Sequence, residues 1–351
     1  MDRYIGLDVH AQSCTLAILS PSGKRLGCRV VETSAAALIG TLKEVPGRKY
    51  VCLEEGTQSA WLHEVLEPHV AELVVTVPKA KKGTKNDEAD AWARAEELRI
   101  GSIETKVFKA PQMFAGLRDA ARSHLTLTQD ITRVKNRLKA IYRSRGLVET
   151  AEEIYDPERR DSWLEQLPPS KRHRAELLGK QLDALAPLRH EAEKWLRAEA
   201  KGQTAMRWVQ SVPGLGVIRS AHVVATVVTP HRFRTRRQFW TYCGLAVVTK
   251  SSADWVRKPG GSWIRAQRTM TMGLNRNRQP ILKAVFKGAA TTVLSDADHP
   301  LRQAYDKQLA GGTKPNLAKL TLARKLATLA LSLWKREEEY NPAKNHTNKN
   351  A

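Results

Sequence analysis

The sequence predicts an α/β protein: an N-terminal mixed sheet with helices, a helical, coiled-coil-like middle, and a mostly α C-terminal domain. Three observations predict it. Five short runs of apolar and β-branched residues fall between Tyr4 and Val77, and helical patterns alternate with them only after the third. From about Gln112 to Gly202 the apolar residues recur at three- and four-residue spacing. Beyond Trp208 the texture changes to turns, small residues and a strongly basic segment.

Taken in order, Tyr4–Val9, Cys14–Leu19 and Lys24–Val31 read as strands, the last two joined by the turn Pro21-Ser22-Gly23. A helix near Ser34–Lys43, a strand at Tyr50–Leu53, a helix at Gln58–Leu66 and a strand at Glu72–Val77, closed by Pro78, follow. A basic loop, Lys79–Lys85, leads into a helix over Asp87–Arg99. A meander followed by βα units implies a mixed sheet, hairpin first and parallel strands afterward, with the first and fourth strands adjacent. Leu117–Arg145 reads as one long amphipathic helix whose C-terminal half is crowded by Arg133, Lys135, Arg137, Lys139, Arg143 and Arg145, with Gly146 as its C-cap. Pro168-Pro169 interrupts the helical region, and a second long helix spans Lys171–Lys201. Two such helices in succession suggest an arm for packing or self-association. Ser211-Val-Pro-Gly-Leu-Gly216 opens a helix of small residues, Ala221–Val228, and the last helix runs over Asn316–Glu339. The expected organisation is therefore 1–110, 111–202, 203–339 and a disordered tail, 340–351.

The 351 residues carry 58 Lys+Arg against 36 Asp+Glu, a net charge of +22, which calls for a polyanionic partner. The excess is concentrated. Between His231 and Gly288 thirteen basic residues face one acid, Asp254, and Phe233, Phe239, Trp240, Trp255 and Trp263 lie among them. Basic residues supply phosphate contacts and aromatics supply stacking, so Arg133, Arg137, Lys250, Arg257, Arg265, Arg276 and Arg278 are the expected nucleic-acid contacts. A solvated basic face over core aromatics is the blander alternative. No apolar run is long enough to span a bilayer, and the chain enters its first strand without a signal-peptide core. Cys14, Cys28, Cys52 and Cys243 lack metal-ligand spacing and read as buried reduced thiols. A cytoplasmic location, with no membrane partner, is the expectation.

Four acids stand out by position. Asp8 lies on the first strand, Glu54 ends the fourth, and Asp87 and Asp90 share one face of the following helix. Carboxylates brought together repel unless a cation sits among them, and an all-oxygen set suits Mg²⁺, with Mn²⁺ as an alternative. Taken singly each is ordinary: Asp87 serves equally as an N-cap and Glu54 as a strand-end surface residue. There is no phosphate-binding G-x-x-x-x-G-K-[ST] loop and no paired-histidine zinc spacing.

Tyr4-Ile-Gly-Leu-Asp-Val-His10, Leu53-Glu-Glu-Gly-Thr57 and Lys85-Asn-Asp-Glu-Ala-Asp-Ala91, on strands in this order, resemble the RuvC-like, ribonuclease-H-type domain of the DEDD transposases of the IS110 insertion-sequence family, described as bridge-RNA-guided recombinases. The family shows a single Glu where this chain has Glu54 and Glu55; Glu54 directly follows the strand, with Glu55 in reserve. Ser211–Gly216 is similar to the family's Pro-Gly-x-Gly turn, which alone also reads as a phosphate-holding helix-hairpin-helix loop. Phe233–Leu245 resembles its Arg-Phe…Gly-Leu segment. Gly273-Leu-Asn-Arg-Asn-Arg278 resembles its Gly-Asn…Arg stretch. By position after Gly244-Leu245, Ser252 matches the family's nucleophilic serine, with Ser251 adjacent and Ala253 in place of the usual Gly.

The resemblance implies a transposase that cuts and rejoins donor and target DNA. It implies Mg²⁺ on Asp8, Glu54, Asp87 and Asp90, a covalent phosphoserine link through Ser252 or Ser251, a structured guide RNA, and a homo-oligomer built as a dimer of dimers. The competing readings are a hydrolytic junction-resolvase-like nuclease using the same acids, a non-catalytic nucleic-acid binder, and an actin-like sugar kinase or ATPase. The last lacks a glycine-bearing phosphate loop after Asp8, where Val9-His10 stands.

Overall fold

The computed structural model describes residues 1–78, 86–110, 112–147, 153–251, 255–265 and 269–343. The chain forms two compact units, Met1–Ala115 and Gly116–Ala351.

In the first unit β1 (Asp2–Val9), β2 (Ser13–Leu19), β3 (Arg25–Glu32), β4 (Arg48–Glu54) and β5 (Glu72–Thr76) make one sheet in the order β3-β2-β1-β4-β5. β1 pairs antiparallel with β2 and parallel with β4, which pairs parallel with β5. This is the mixed sheet that the meander-then-βα pattern predicts. Helices α1 (Ala35–Glu44) and α2 (Ser59–Leu66) cover one face, over Ile5, Leu7, Leu16, Leu38, Val51, Leu53 and Leu62. Each such side chain stabilises the fold by about 1.5–3 kcal/mol on leaving water. Helix α3 (Asp87–Arg99) lies on the other face, with Ala91, Trp92 and Ala95 against Ala17 and Leu19.

The period of two along β1 sorts its residues. Ile5 and Leu7 join the α1/α2 core, while Tyr4, Gly6 and Asp8 share the face of α3. On β4 the matching residues are Tyr50 and Cys52, the register partners of Tyr4 and Gly6, followed by Glu54 at the strand end. Gly6 is there because α3 is so close: a Cβ at this position would stand 1.9 Å from the Ala91 carbonyl oxygen and 2.5 Å from the Ala95 nitrogen. The helix begins where its cap dictates. Asn86 Oδ1 accepts the Glu88 and Ala89 N–H groups, so the cap is Asn86 and the Asp87 carboxylate is left for other use.

The second unit is mostly helical: α4 (Ala115–Arg143, entering from the first unit), α5 (Arg160–Leu164), α6 (Pro169–Lys201), α7 (Thr204–Gln210), α8 (Val217–Val227), α9 (Arg236–Tyr242), α10 (Pro280–Ser295), α11 (Pro300–Ala310) and α12 (Pro315–Arg336). Four of them open on a proline, which suits the first helical turn. α12 buries Leu322, Leu326, Leu329 and Leu333 and packs on α7, α9, α10 and α11. It ends at Arg336, with Glu337 left-handed at φ 57°, three residues short of the predicted Glu339. The following chain is tied down: the Tyr340 N–H donates to Ser211 Oγ at 2.8 Å. The rest of the predicted tail, 344–351, and the loop Lys79–Lys85 lie outside the described residues.

Between α9 and α10 the structure adds what the sequence pattern does not show. β6 (Val247–Ser251) pairs antiparallel with β9 (Thr269–Leu274), and between them β7 (Trp255–Arg257) pairs with β8 (Trp263–Arg265). The C-terminal part is therefore mostly α with two short ribbons. Among the described residues no helix is long and apolar enough to cross a membrane. All four cysteines are free; Cys14, Cys52 and Cys243 are buried and Cys28 is half-buried. Burial pushes the Cys52 thiol up to about 11, which keeps it unreactive.

Candidate functional site

The acids collect at the C-terminal ends of β1 and β4, beside the start of α3. Asp8 is one residue from the end of β1 and Glu54 is the last residue of β4. The loop after each strand lines a cavity of about 230 Å³ that includes Asp8, His10, Glu54, Glu55 and Gln58. His10 Nε2 stands 3.0 Å from Asp8 Oδ2 and 3.2 Å from Asp87 Oδ2. One ligand atom each from Asp8, His10 and Asp87 lie within 4.8 Å of one another, a spacing that a single cation can bridge. Two carboxylates and an imidazole accept Mg²⁺ and are at least as well suited to Mn²⁺, which takes nitrogen donors more readily.

Glu54 joins this group through a cation of the protein itself. Arg94 Nη1 is 3.0 Å from Asp8 Oδ1, and Nη2 is 2.8 Å from Glu54 Oε1. Arg94 is only 6% exposed, and its Nε has no hydrogen-bond partner among the described residues. The adjacent Glu55 turns elsewhere: its carboxylate meets Lys109 Nζ at 2.5 Å and the Ser59 hydroxyl at 3.2 Å. Asp90 lies one turn along α3 from Asp87 and is half-buried.

The sequence reading missed His10 and Arg94. A signal existed for both. His10 follows Asp8 by two residues at a strand end, and Arg94 is a lone basic residue on the small-residue face Ala91–Ala95, one turn beyond Asp90. What the pattern cannot supply is the depth of α3 on the sheet. That depth is set by Gly6, and it puts a guanidinium between two strands.

The second unit carries the other predicted residues. Ser251 closes β6 in register with Thr269, and Ser252 lies outside the described residues. Lys250 is in register with Met270, and Arg265 with Trp255. In the β7–β8 ribbon Trp255 and Trp263 are 59% and 61% exposed, and Arg257 is exposed opposite Trp263. Arg137 and Arg276 are exposed, and Arg133 is ion-paired to Asp130 on its own helix. Arg278 is different. It is half-buried, its Nη1 donates to the Asn275 carbonyl at 3.1 Å, and its side chain fills the space where a Cβ on Gly244 would stand. The Pro-Gly-x-Gly turn is likewise built into the core: a Cβ on Gly214 (φ +78°) would meet the Ala289 carbonyl at 2.4 Å, and Arg219 ties the Gly214 carbonyl to Thr292.

A family model described as a transposase, of the DEDD type of IS110, matches residues 5–144, and a second, described as the transposase IS116/IS110/IS902 family, matches residues 206–306. The chain belongs to the IS110 transposase family. Both units of this IS110-family transposase are thus matched, the acids by the first model and Ser251 and Ser252 by the second. The transposase for insertion sequence element IS1111A of Coxiella burnetii is 22% identical over 357 residues, covering 96% of this chain and 91% of the relative. An uncharacterized 43.6 kDa protein of insertion element IS110 from Streptomyces coelicolor is 30% identical over 156 residues, 44% of this chain and 35% of that protein. Membership in the family makes DNA the substrate and transposition the activity.

Proposed function

We propose that this transposase cuts and rejoins DNA phosphodiesters with a divalent cation, Mg²⁺ or Mn²⁺, held by Asp8, Glu54, Asp87 and Asp90, and with Ser252, or its neighbour Ser251, as nucleophile. The observation that carries the reading is the convergence of Asp8, His10 and Asp87, with Glu54 linked through Arg94, at one end of the sheet. Acids gathered this closely in a chain of net charge +22 are costly beside a polyanion unless they hold a cation. The bound cation would polarise phosphodiester oxygens and lower the cost of the charge that develops on them. His10 joins the set as a further donor.

The serine hydroxyl attacks the phosphorus and gives up its proton; the deoxyribose oxygen leaves and takes one up. A phosphoserine link to one strand end remains. Attack on that link by the hydroxyl of a second strand end reverses the step, restores the serine and joins the new pair without nucleotide hydrolysis. Arg257 and Arg276 are exposed and suited to hold the backbone, and Trp255 and Trp263 to stack on bases or sugars. A structured RNA as guide and a dimer of dimers as the assembled form complete the proposal on the family resemblance. The helices α4 and α6 are the candidate self-association arm, and 1–110, 111–202 and 203–339 the candidate functional divisions.

The test is the pair of substitutions Ser251→Ala and Ser252→Ala together. Loss of a trapped protein–DNA adduct, and of cleavage, supports the serine. Undiminished cleavage overturns it in favour of water as nucleophile, the junction-resolvase chemistry.

A further inference from the structure

We propose that Arg94 is a resident counter-cation that closes the Asp8–Glu54 side of the acid cluster, so that one divalent ion is accepted readily beside Asp8, His10 and Asp87 and a second only when the guanidinium is displaced from Glu54. This rests on the reading that the acids hold a divalent ion.

Asp8 is the carboxylate common to both sides. Its Oδ2 faces His10, which also faces Asp87, and its Oδ1 faces Arg94, which also faces Glu54. The first side is open to solvent through two of its three donors, His10 and Asp87, which are half exposed. On the second side a permanent positive charge already lies between the two carboxylates. A guanidinium is protonated at any working pH, so it cannot step aside by titration and has to move or be outcompeted. Two features mark the contact as poised for exchange. The Arg94 Nε is buried with no partner among the described residues, a cost that a purely structural arginine ordinarily avoids by finding an acceptor. Glu54, at the strand end, is 31% exposed and borders the cavity, so its carboxylate has room to turn from Arg94 toward an incoming ion. Arg94 itself is held by α3, whose backbone rests on Gly6. The backbone anchor of that charge is therefore set by the fold, and only the side chains at its end exchange partners.

The experiment is Mn²⁺ binding to the full-length protein, with free Mn²⁺ followed by electron paramagnetic resonance, alongside melting temperature with and without the ion. The wild type is expected to bind one Mn²⁺ tightly and a second at least about tenfold more weakly, because like charges at this range repel strongly in a partly buried site. Arg94→Gln is expected to tighten the second site by at least about tenfold. It should also lower the ion-free melting temperature and gain more from added Mn²⁺ than the wild type does. Arg94→Lys, which keeps the charge and is the milder change for folding, should bind the second ion more weakly than Arg94→Gln; if the glutamine variant does not fold, the lysine variant must still keep the second site at least as weak as in the wild type. Identical stoichiometry and affinities in the wild type and Arg94→Gln, or a weakened second site in the glutamine variant, would overturn the role of Arg94 while leaving the metal reading standing. No Mn²⁺ bound by the wild type beyond what Asp8→Asn binds would remove the metal reading itself, and this proposal with it.

Discussion

The acid site of the first unit and the basic ribbons of the second handle charge in opposite ways. Around Asp8 the charges are few and close: Arg94 is nearly buried, and each of its two ion pairs is made at the end of a strand in the middle of a five-stranded sheet. Along β6–β9 the basic residues face a single acid, Asp254, in their own stretch of sequence, and the indoles of Trp255 and Trp263 stand in solvent. A two-stranded ribbon buries too little to hold such a surface rigid by itself. One region is arranged before any partner arrives; the other presents contact groups whose arrangement a polyanion can complete. A site for a small, hard ion needs the first kind of construction, and a surface for a long, deformable polymer is served by the second.

The largest expected effect breaks the first half of that contrast. Asp8→Asn should reduce strand cleavage by about a thousandfold or more, while retention on DNA changes little; a mobility-shift assay beside a cleavage assay separates the two, and parallel loss of both would mean that the acid site is part of the binding surface. Next in size is a pH effect at a pair of buried histidines in the second unit. His124 Nδ1 and His222 Nε2 lie 3.1 Å apart between α4 and α8. Burial, aided by the neighbouring His124, pushes His222 down to about 4, and burial lowers His124 as well. Glu193, Arg189 and Arg197 of α6 act on His124 from the facing side. Both histidines are neutral in the folded protein at pH 7, and the unfolded chain takes up protons first as the pH falls. Stability is therefore intact above about pH 6.5 and is lost down to about pH 4, by about 3 kcal/mol for His222. Melting temperature against pH should show this slope in the wild type and a flatter one in His222→Gln.

Two smaller effects sharpen the second half. Trp263→Ala, at an exposed indole, should weaken binding to single-stranded nucleic acid by about tenfold with the melting temperature unchanged; a fall in stability instead would make the indole part of the fold. Arg257→Ala should reduce the slope of log affinity against log salt by about one unit, the signature of a single phosphate contact. Arg278→Ala, by contrast, should cost stability, because its side chain fills the space beside Gly244.

These regions also differ in how much of them the sequence discloses. The strands and helices of the first unit are legible because each buries one face, and burial writes a period into the chain; β1 alternates Ile5 and Leu7 inward with Gly6 and Asp8 toward α3. That Glu54 is the residue ending its strand was legible too. His10 and Arg94 were not, since their importance comes from which segments meet, and that is decided by the packing of α3 on β1, some 80 residues apart in the chain. The ribbons were missed for the complementary reason. Met270 and Met272 are exposed, as are Trp255 and Trp263, so their apolar residues mark no core and the usual signal points nowhere. Arg278 and Gly214 show what the sequence pattern leaves out: residues of the kind that contact phosphate also have packing roles, beside Gly244 and Ala289.

Gly6 has a consequence for reading relatives of this chain. A gene copy that acquires any larger residue at this position would retain every acid, every serine and the whole basic surface. Its α3 would be pushed off the strand, and the acids would no longer meet. Judged by its acidic signature such a copy counts as active; judged by one missing hydrogen atom on an inner strand it is a fossil. The glycine therefore belongs beside the acids when intact elements are told from decayed ones.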